Sequence, residues 1–489
     1  MKSIRIISVF LIILMLSTTL LACANNSGDD TTVTTPADGV ADTTPAGGEE
    51  AVDTTPAETT PALQLPENLN FNKQTFTIFT WSNQTQWEWD AEDYTGELLD
   101  DAIYDRKLET EERVGISLEF IKEPGEWENR NNFINKLAAS VMSGAKAYDL
   151  VSQYTPAAAI GTMQGLYLNL NDIEHLNTKS PWWPGDIVES SSINGNLYFT
   201  TGDITPTLIR NMGAIMANLD MVEAFELGDL YELVDNGQWT LDKIEEIALG
   251  KVADLNDGQQ YYAFTFANNV VYDNLFYGAG FKFVDSNPDG SLSFSATIGG
   301  ERIINWFTKC QNFLNNNADV DIVAINQAFT EERAIFHLGS VADVQNYLKD
   351  VDFDFAILPA PKYEATQENY ATIVGFWVSM FSVPIDAANP AMSGATLETL
   401  GYYGMQDLTP AFYEEAFQYR YLSTEANARM FNLLHDTLVY DTGRTFADQI
   451  NCFAAFRQAA TPATSWSSYT KSMSKVWSKN ISNIYEKLG

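Results

Sequence analysis

The chain has 489 residues, long enough for two domains or lobes, and carries 28 Lys plus Arg against 65 Asp plus Glu, a formal net charge of -37. With no basic stripe, that balance excludes most nucleic-acid binding, since phosphate contact requires clustered cations. A 45% hydrophobic and 12% aromatic composition excludes a disordered chain. The scattered His175, His337 and His435, with Cys23, Cys310 and Cys452, form no CxxC, HExxH or other ligand cluster, so neither a metal nor a redox cofactor is expected.

Lys2 and Arg5 precede an apolar run, Ile6 to Ala22, that is short for a membrane span and has the form of a signal peptide over 1–22. It ends Leu20-Leu21-Ala22-Cys23, which looks like a bacterial lipobox with Cys23 as the lipidated residue. Lipid there, including palmitate, would hold the protein on the outer face of a cell membrane without spanning it. Residues 23–65 contain four Thr-Thr-Pro-Ala copies, from Thr34, Thr43, Thr54 and Thr59, with acidic residues and no Lys, Arg or aromatic. Such a segment cannot bury enough surface to offset its ordering entropy and reads as a tether, with an end-to-end distance of roughly 35 Å if flexible. Cys310 and Cys452 are then left either to form a disulfide in an oxidising exterior or to remain buried thiols.

From about residue 66 the chain alternates strands and helices. Gln74–Trp81 reads as a strand, Leu98 to Val114 as a helix stopped by Gly115, Ile116 to Ile121 as a strand, Asn131 to Met142 as a helix before Gly144, and Tyr148 to Ser152 as a third strand. That order argues for a parallel α/β lobe whose ligands lie beyond the carboxyl ends of its strands. Asn211 to Asn218 is β-like, and Trp239 to Ala248 is a helix start with Thr240 as its cap. Phe329 to Gly339 reads as a short helix entering a strand, Phe353 to Lys362 and Thr372 to Pro384 as further strands, and 394–489 as mainly helical.

Four of these stretches, Tyr148-Asp-Leu-Val, Trp239-Thr-Leu-Asp, Phe329 to Gly339 and Ile357-Leu-Pro-Ala-Pro-Lys, together with the lipobox and tether, resemble the extracellular solute-binding lipoproteins of ABC importers, family one, of the maltose/oligosaccharide-binding type. Asp407-Leu-Thr-Pro-Ala-Phe-Tyr and Tyr440-Asp-Thr-Gly look like a longer-tailed subgroup of Gram-positive bacteria. The resemblance implies an α/β two-lobe clamp of the periplasmic-binding-protein type with a helical tail. Lobe one would be 66–200 plus 326–372, and lobe two 204–325 plus 384–489. Crossing strands would lie near Thr200–Thr205, Val323–Ala328 and Thr372–Pro384. The implied partners are a small-molecule ligand and the permease and ATPase of an importer, with the protein itself a monomer.

Sugars present apolar C–H faces to rings and hydroxyls to carboxylates and amides. Trp81-Ser-Asn-Gln-Thr-Gln-Trp-Glu-Trp-Asp90 follows the first strand, so Trp81, Trp87 and Trp89 are candidate ligand rings, against packing into the core. Gln153 and Tyr154 follow the third strand, and Gly339-Ser340 ends another, offering Ser340 and backbone donors. The resemblance adds Asp203 and Trp377 near crossings and Tyr272 and Asp273 in the second lobe; Asp441 and Arg444 would close the cleft from the tail, an exposed ion pair being the alternative. Trp182-Trp183 is at least as well read as surface packing. The function expected is capture of an oligosaccharide for import without catalysis. A secreted glycosidase would need a flanking pair of carboxylates that no motif singles out, and a surface sensor or adhesin would bind without a permease.

Overall fold

The β-branched and aromatic run Gln74–Trp81 forms strand β1, buried on both faces toward its carboxyl end as a central parallel strand must be. The computed structural model describes residues 61–489 except 254, 256, 419–423, 456 and 459–463, so Cys23 and most of the proposed tether lie outside the described residues. Leu65, placed at the tether's end by sequence, is already buried in the core, and Arg113 donates to its carbonyl.

Helix α1 (Leu98–Val114) buries Leu99, Ala102, Ile103, Arg106, Thr110 and Val114, a single face at helical spacing. Leu98 and Leu108 point outward, and the charged Arg106 takes an inward position because it donates to the Ile204 and Glu88 carbonyls. Gly115 ends the helix in the left-handed region (φ 72°), and a Cβ there would stand 2.4 Å from Asn70 Oδ1. Strand β2 (Ile116–Glu123), helix α2 (Arg130–Ser143), strand β3 (Leu150–Tyr154) and helix α3 (Thr155–Met163) follow.

Strand β4 (Gly213–Asn218), helix α4 (Leu241–Ala248), strand β5 (Tyr262–Phe266), helix α5 (Tyr272–Gly278), helix α6 (Glu301–Asn315) and strands β6 (Val320–Ile322), β7 (Ala334–Ser340) and β8 (Phe355–Leu358) build a second sheet, in the order β8-β4-β7-β5-β6. Thr240 caps α4, accepting from the Lys243 amide, as its sequence position implies. The neighbouring Trp239 is fully buried and donates to the Pro359 carbonyl, so the Trp-Thr and Ile-Leu-Pro-Ala-Pro-Lys stretches pack on one another.

Strand β9 (Ser379–Ser382) returns to the first sheet, whose order is β9-β3-β1-β2; β1 runs parallel to both neighbours and β9 antiparallel to β3. Helices α7 (Pro390–Tyr403), α8 (Thr409–Gln418), α9 (Glu425–Asp436) and α10 (Trp466–Leu488) complete the chain. Two apolar clusters lie around the first sheet, and a third, built on the second sheet, reaches α1, α3 and β9 of the first. No described helix is long and apolar enough to cross a membrane.

The lobe boundaries need correction. Residues 326–372 do not join lobe one: β7 lies inside the second sheet, paired with β4 on one edge and β5 on the other, and β8 pairs with β4. Residues 390–403 do not join lobe two: Met392, Ala395, Leu397 and Leu400 of α7 complete the core around β1 and β2. Two segments cross between the sheets side by side. Thr200 bridges Phe381 at the first-sheet end, and Met212 bridges Val374 at the other. Val323–Ala328, expected to cross, stays with the second sheet as it turns into β7. Helix α8 packs on α1, and helix α9 packs on β8.

Candidate ligand cleft

A cavity of about 440 Å³ opens between the two sheets. Its walls come from the loop after β2 (Trp127, Glu128), the end of β3 (Tyr154), the start of β4 (Asn211, Gly213), the segment from Asn268 to Asn274, the end of β7 (Gly339, Ser340), the crossing segment 373–377, and Arg444, Phe453 and Arg457 of the tail. Several of these are strand carboxyl ends, where open α/β sheets present ligand groups.

Rings dominate one side. Trp127 stacks on Phe453 with centroids 4.7 Å apart, and Phe453 stacks on Phe376 at 5.3 Å. Trp377 is 43% exposed, with Tyr154 at 6.1 Å and the fully buried Trp81 at 5.7 Å. Trp81 is held by a hydrogen bond from Nε1 to Ser379 Oγ (2.7 Å) and supports Trp377 from beneath. Hydrogen-bonding groups also line the cavity. Asn274 lies so close over β4 that a Cβ on Gly213 would stand 1.6 Å from its Oδ1. Asn211 is fixed by donation to the Thr207 and Trp377 carbonyls (2.8 and 3.0 Å).

Charge enters from the tail. Arg444 donates to Asp273, a pair almost wholly buried, and lies 3.9 Å over the Phe376 ring. Burial raises the Asp273 pKa, which the guanidinium opposes. Arg457 lies 4.3 Å over Phe453; burial lowers its pKa, Asp273 opposing and Arg444 adding to the shift.

Of the residues singled out by sequence, Tyr154, Ser340, Trp377 and Arg444 line this cavity. Trp81 and Asp273 stand directly behind it. The others serve elsewhere. Trp87 lies under the Arg210 guanidinium at 3.5 Å, and Trp89 packs against Phe120 and Phe381 in the core. Gln153 is fully buried, bonded to Ser382 and Tyr167 behind β3. Asp203 accepts from Thr409, tying the first crossing to α8. Tyr272 is buried edge-on against Phe266. Asp441 accepts from the Phe283, Val284 and Gly443 amides and from the Tyr277 hydroxyl, which occupies its carboxylate as a buried anchor. Trp182 and Trp183 pack inside lobe one. Cys310 and Cys452 are separate buried thiols.

The first loop turns inward because Glu88 sits at its centre. Fully buried, Glu88 accepts from Ser152 and from Thr205, and Arg106 lies over Trp89 at 4.7 Å. Burial raises the Glu88 pKa, against its hydrogen bonds and Arg106. Trp127, Phe453 and Arg457 were missed by sequence. Trp127 lies just beyond the carboxyl end of β2, as Trp81 ends β1, so the strand-end rule applied to every parallel strand would have found it; Phe453 and Arg457 belong to irregular tail segments with no periodic signal.

No protein-family model matches the chain, and no curated protein matches it in sequence. Solved structures do match. They include a cyclo/maltodextrin-binding protein complexed with maltotetraose, at 14% identity, TM-score 0.56 and coverage of 83% of this chain and 97% of that one. The cyclic alpha-maltosyl-1,6-maltose binding protein from Arthrobacter globiformis matches at 12% identity and TM-score 0.56, covering 84% and 100%. An ABC transporter solute-binding protein from Thermotoga lettingae bound with alpha-D-tagatose matches at 14% and 0.52, covering 85% and 100%. The fold is therefore that of the two-lobe solute-binding proteins, over most of the chain.

Proposed function

We propose that this protein captures an oligosaccharide in the cavity between its two sheets and delivers it to an ABC importer. The observation that carries the reading is the lining itself. Trp377, Tyr154, Trp127 and Phe453 offer flat apolar faces, while Asn211, Asn268, Asn274 and Ser340 offer hydrogen-bonding groups to the same space. Sugars are held by that combination of ring faces and amide or hydroxyl partners. The maltodextrin- and tagatose-bound neighbours of the same fold support it.

Binding without turnover is the favoured chemistry. A glycosidase flanks the scissile bond with two carboxylates; among the described residues lining the cavity the carboxylate is Glu128, and Asp273 behind it is committed to Arg444. The lipobox-like Leu20-Leu21-Ala22-Cys23 and the Thr-Thr-Pro-Ala repeats favour a lipid-anchored extracellular lipoprotein of a Gram-positive bacterium, the tether carrying the clamp to a permease.

The test is a thermal-shift screen of the full-length protein in detergent against oligosaccharides, amino acids and short peptides. A ligand present at 100 times its Kd adds about 2.7 kcal/mol to stability, a visible rise in midpoint. A shift with a glycan that is recovered intact supports the reading. Hydrolysis of the glycan would move the protein to the enzymes, and a response to peptides alone would remove the sugar assignment.

A further inference from the structure

The cavity is richer in buried cations than a neutral sugar requires. Two guanidinium groups, of Arg444 and Arg457, line it, and a third, of Arg130, lies 3.7 Å over the ring of the lining residue Trp127. Arg130 is paired with Asp448 (3.2 Å) and Arg444 with Asp273. Arg457 lies near enough to Asp273 and Arg444 to feel both, but neither its Nε nor its Nη2 has a hydrogen-bond partner, although both atoms are buried. The Nε of Arg444, a residue 6% exposed, is likewise buried and unpartnered. Among the described residues lining the cavity the acidic side chain is Glu128, which is exposed.

The two arginines are also held in register. Stacking on Phe376 at 3.9 Å and on Phe453 at 4.3 Å holds each guanidinium against a ring, and leaves Arg444 Nε and Arg457 Nε and Nη2 as buried donors not yet used. A planar fork of donors matches a carboxylate bidentately, which an ammonium or an amide does not. Asn268, Asn274 and Ser340 add further polar groups around the same space. Resting on the oligosaccharide reading above, we infer that the ligand is an acidic oligosaccharide, whose uronic-acid carboxylate is received by the edges of Arg457 and Arg444 while its neutral faces lie on the rings.

Isothermal titration of the full-length protein in detergent tests this with matched pairs of probes. These are trigalacturonate, a glucuronoxylan trisaccharide and a trimannuronate, each against its own carboxyl-reduced form, plus a sulfated galactan trisaccharide. The expected result is at least one acid form bound 100-fold more tightly than its reduced partner. Arg457→Gln should cut that preference tenfold or more, and Arg457→Lys, which keeps the charge but loses the fork, should fall between. A reduced form binding as well as its acid, or a preference unmoved in a folded Arg457→Gln, would overturn the inference and leave oligosaccharide capture standing. Binding of the sulfated probe alone would overturn the carboxylate. Binding of no saccharide would overturn both readings together.

Discussion

Replacing Trp377 with alanine should weaken sugar binding strongly and stability little. A Trp side chain buries at most about 250 Å², so the 43% still exposed amounts to about 110 Å² in the absence of ligand. Covering all of it with a sugar face at about 25 cal/mol per Å² is worth about 2.7 kcal/mol, and covering half about 1.3 kcal/mol. Trp377→Ala should therefore raise Kd about 10- to 100-fold. Titration calorimetry with the glycan found in the thermal screen reads this directly, and a melting scan reads the stability. Trp87→Ala supplies the contrast: that ring packs against Arg210 and the core, outside the cavity. It should lower the melting temperature and leave Kd within about twofold. A change in Kd below threefold for Trp377→Ala, or a larger loss in a folded Trp87→Ala, would refute the placement of the sugar platform.

Other outcomes follow from buried groups. His337 is enclosed against Thr265, and burial pushes its pKa down to about 3. The unfolded chain then takes the proton first, so this residue's contribution is lost as pH falls below the ordinary 6.5. Urea unfolding at pH 6.5 and 4.5 should show the wild type losing about 2.3 kcal/mol relative to His337→Gln, and parallel pH profiles would contradict it. Gly213→Ala should drive Asn274 from its place over β4 and cost about 1–3 kcal/mol, read as a lower denaturation midpoint; an unchanged midpoint would mean the site relaxes freely. Burial raises the Cys310 pKa to about 12 and the Cys452 thiol well above its ordinary value. A thiol reagent should label neither in the native protein, and reductant should leave the melting curve unchanged; rapid labelling would count against the packing.

Local signals carried the elements well and their partners poorly. The β-rich run at Gln74–Trp81, the stop at Gly115 and the cap at Thr240 depend on neighbours a few residues away, and each forms where its sequence indicates. Lobe membership depends on pairing across long separations. Nothing within Ala334–Ser340 says that it will lie between β4 and β5, and nothing in Pro390–Tyr403 says that its apolar residues belong with β1. The site shows the same division. Tyr154 and Ser340 follow from strand ends. Trp89, beside an equally promising strand end, is drawn into the core because Arg106 reaches across from α1 to the Glu88 carbonyl, a contact invisible to periodicity.

The Glu88 knot has a mechanical corollary. Thr205 is bonded to Glu88 and to Thr207, and Thr207 in turn accepts from the Ser379 amide. Both crossing segments are thus riveted to the first sheet at that level. Any rotation of one sheet against the other has to be absorbed farther along, between 208 and 212 on one segment and 374 and 378 on the other. Trp377 stands within that second stretch, its carbonyl held by Asn211 of the first. On the proposed function, the ring offered to the sugar is thus mounted on the pivot itself, like a pointer fixed to its own axle, and a ligand pressing on it would turn the same few bonds about which the two sheets rotate.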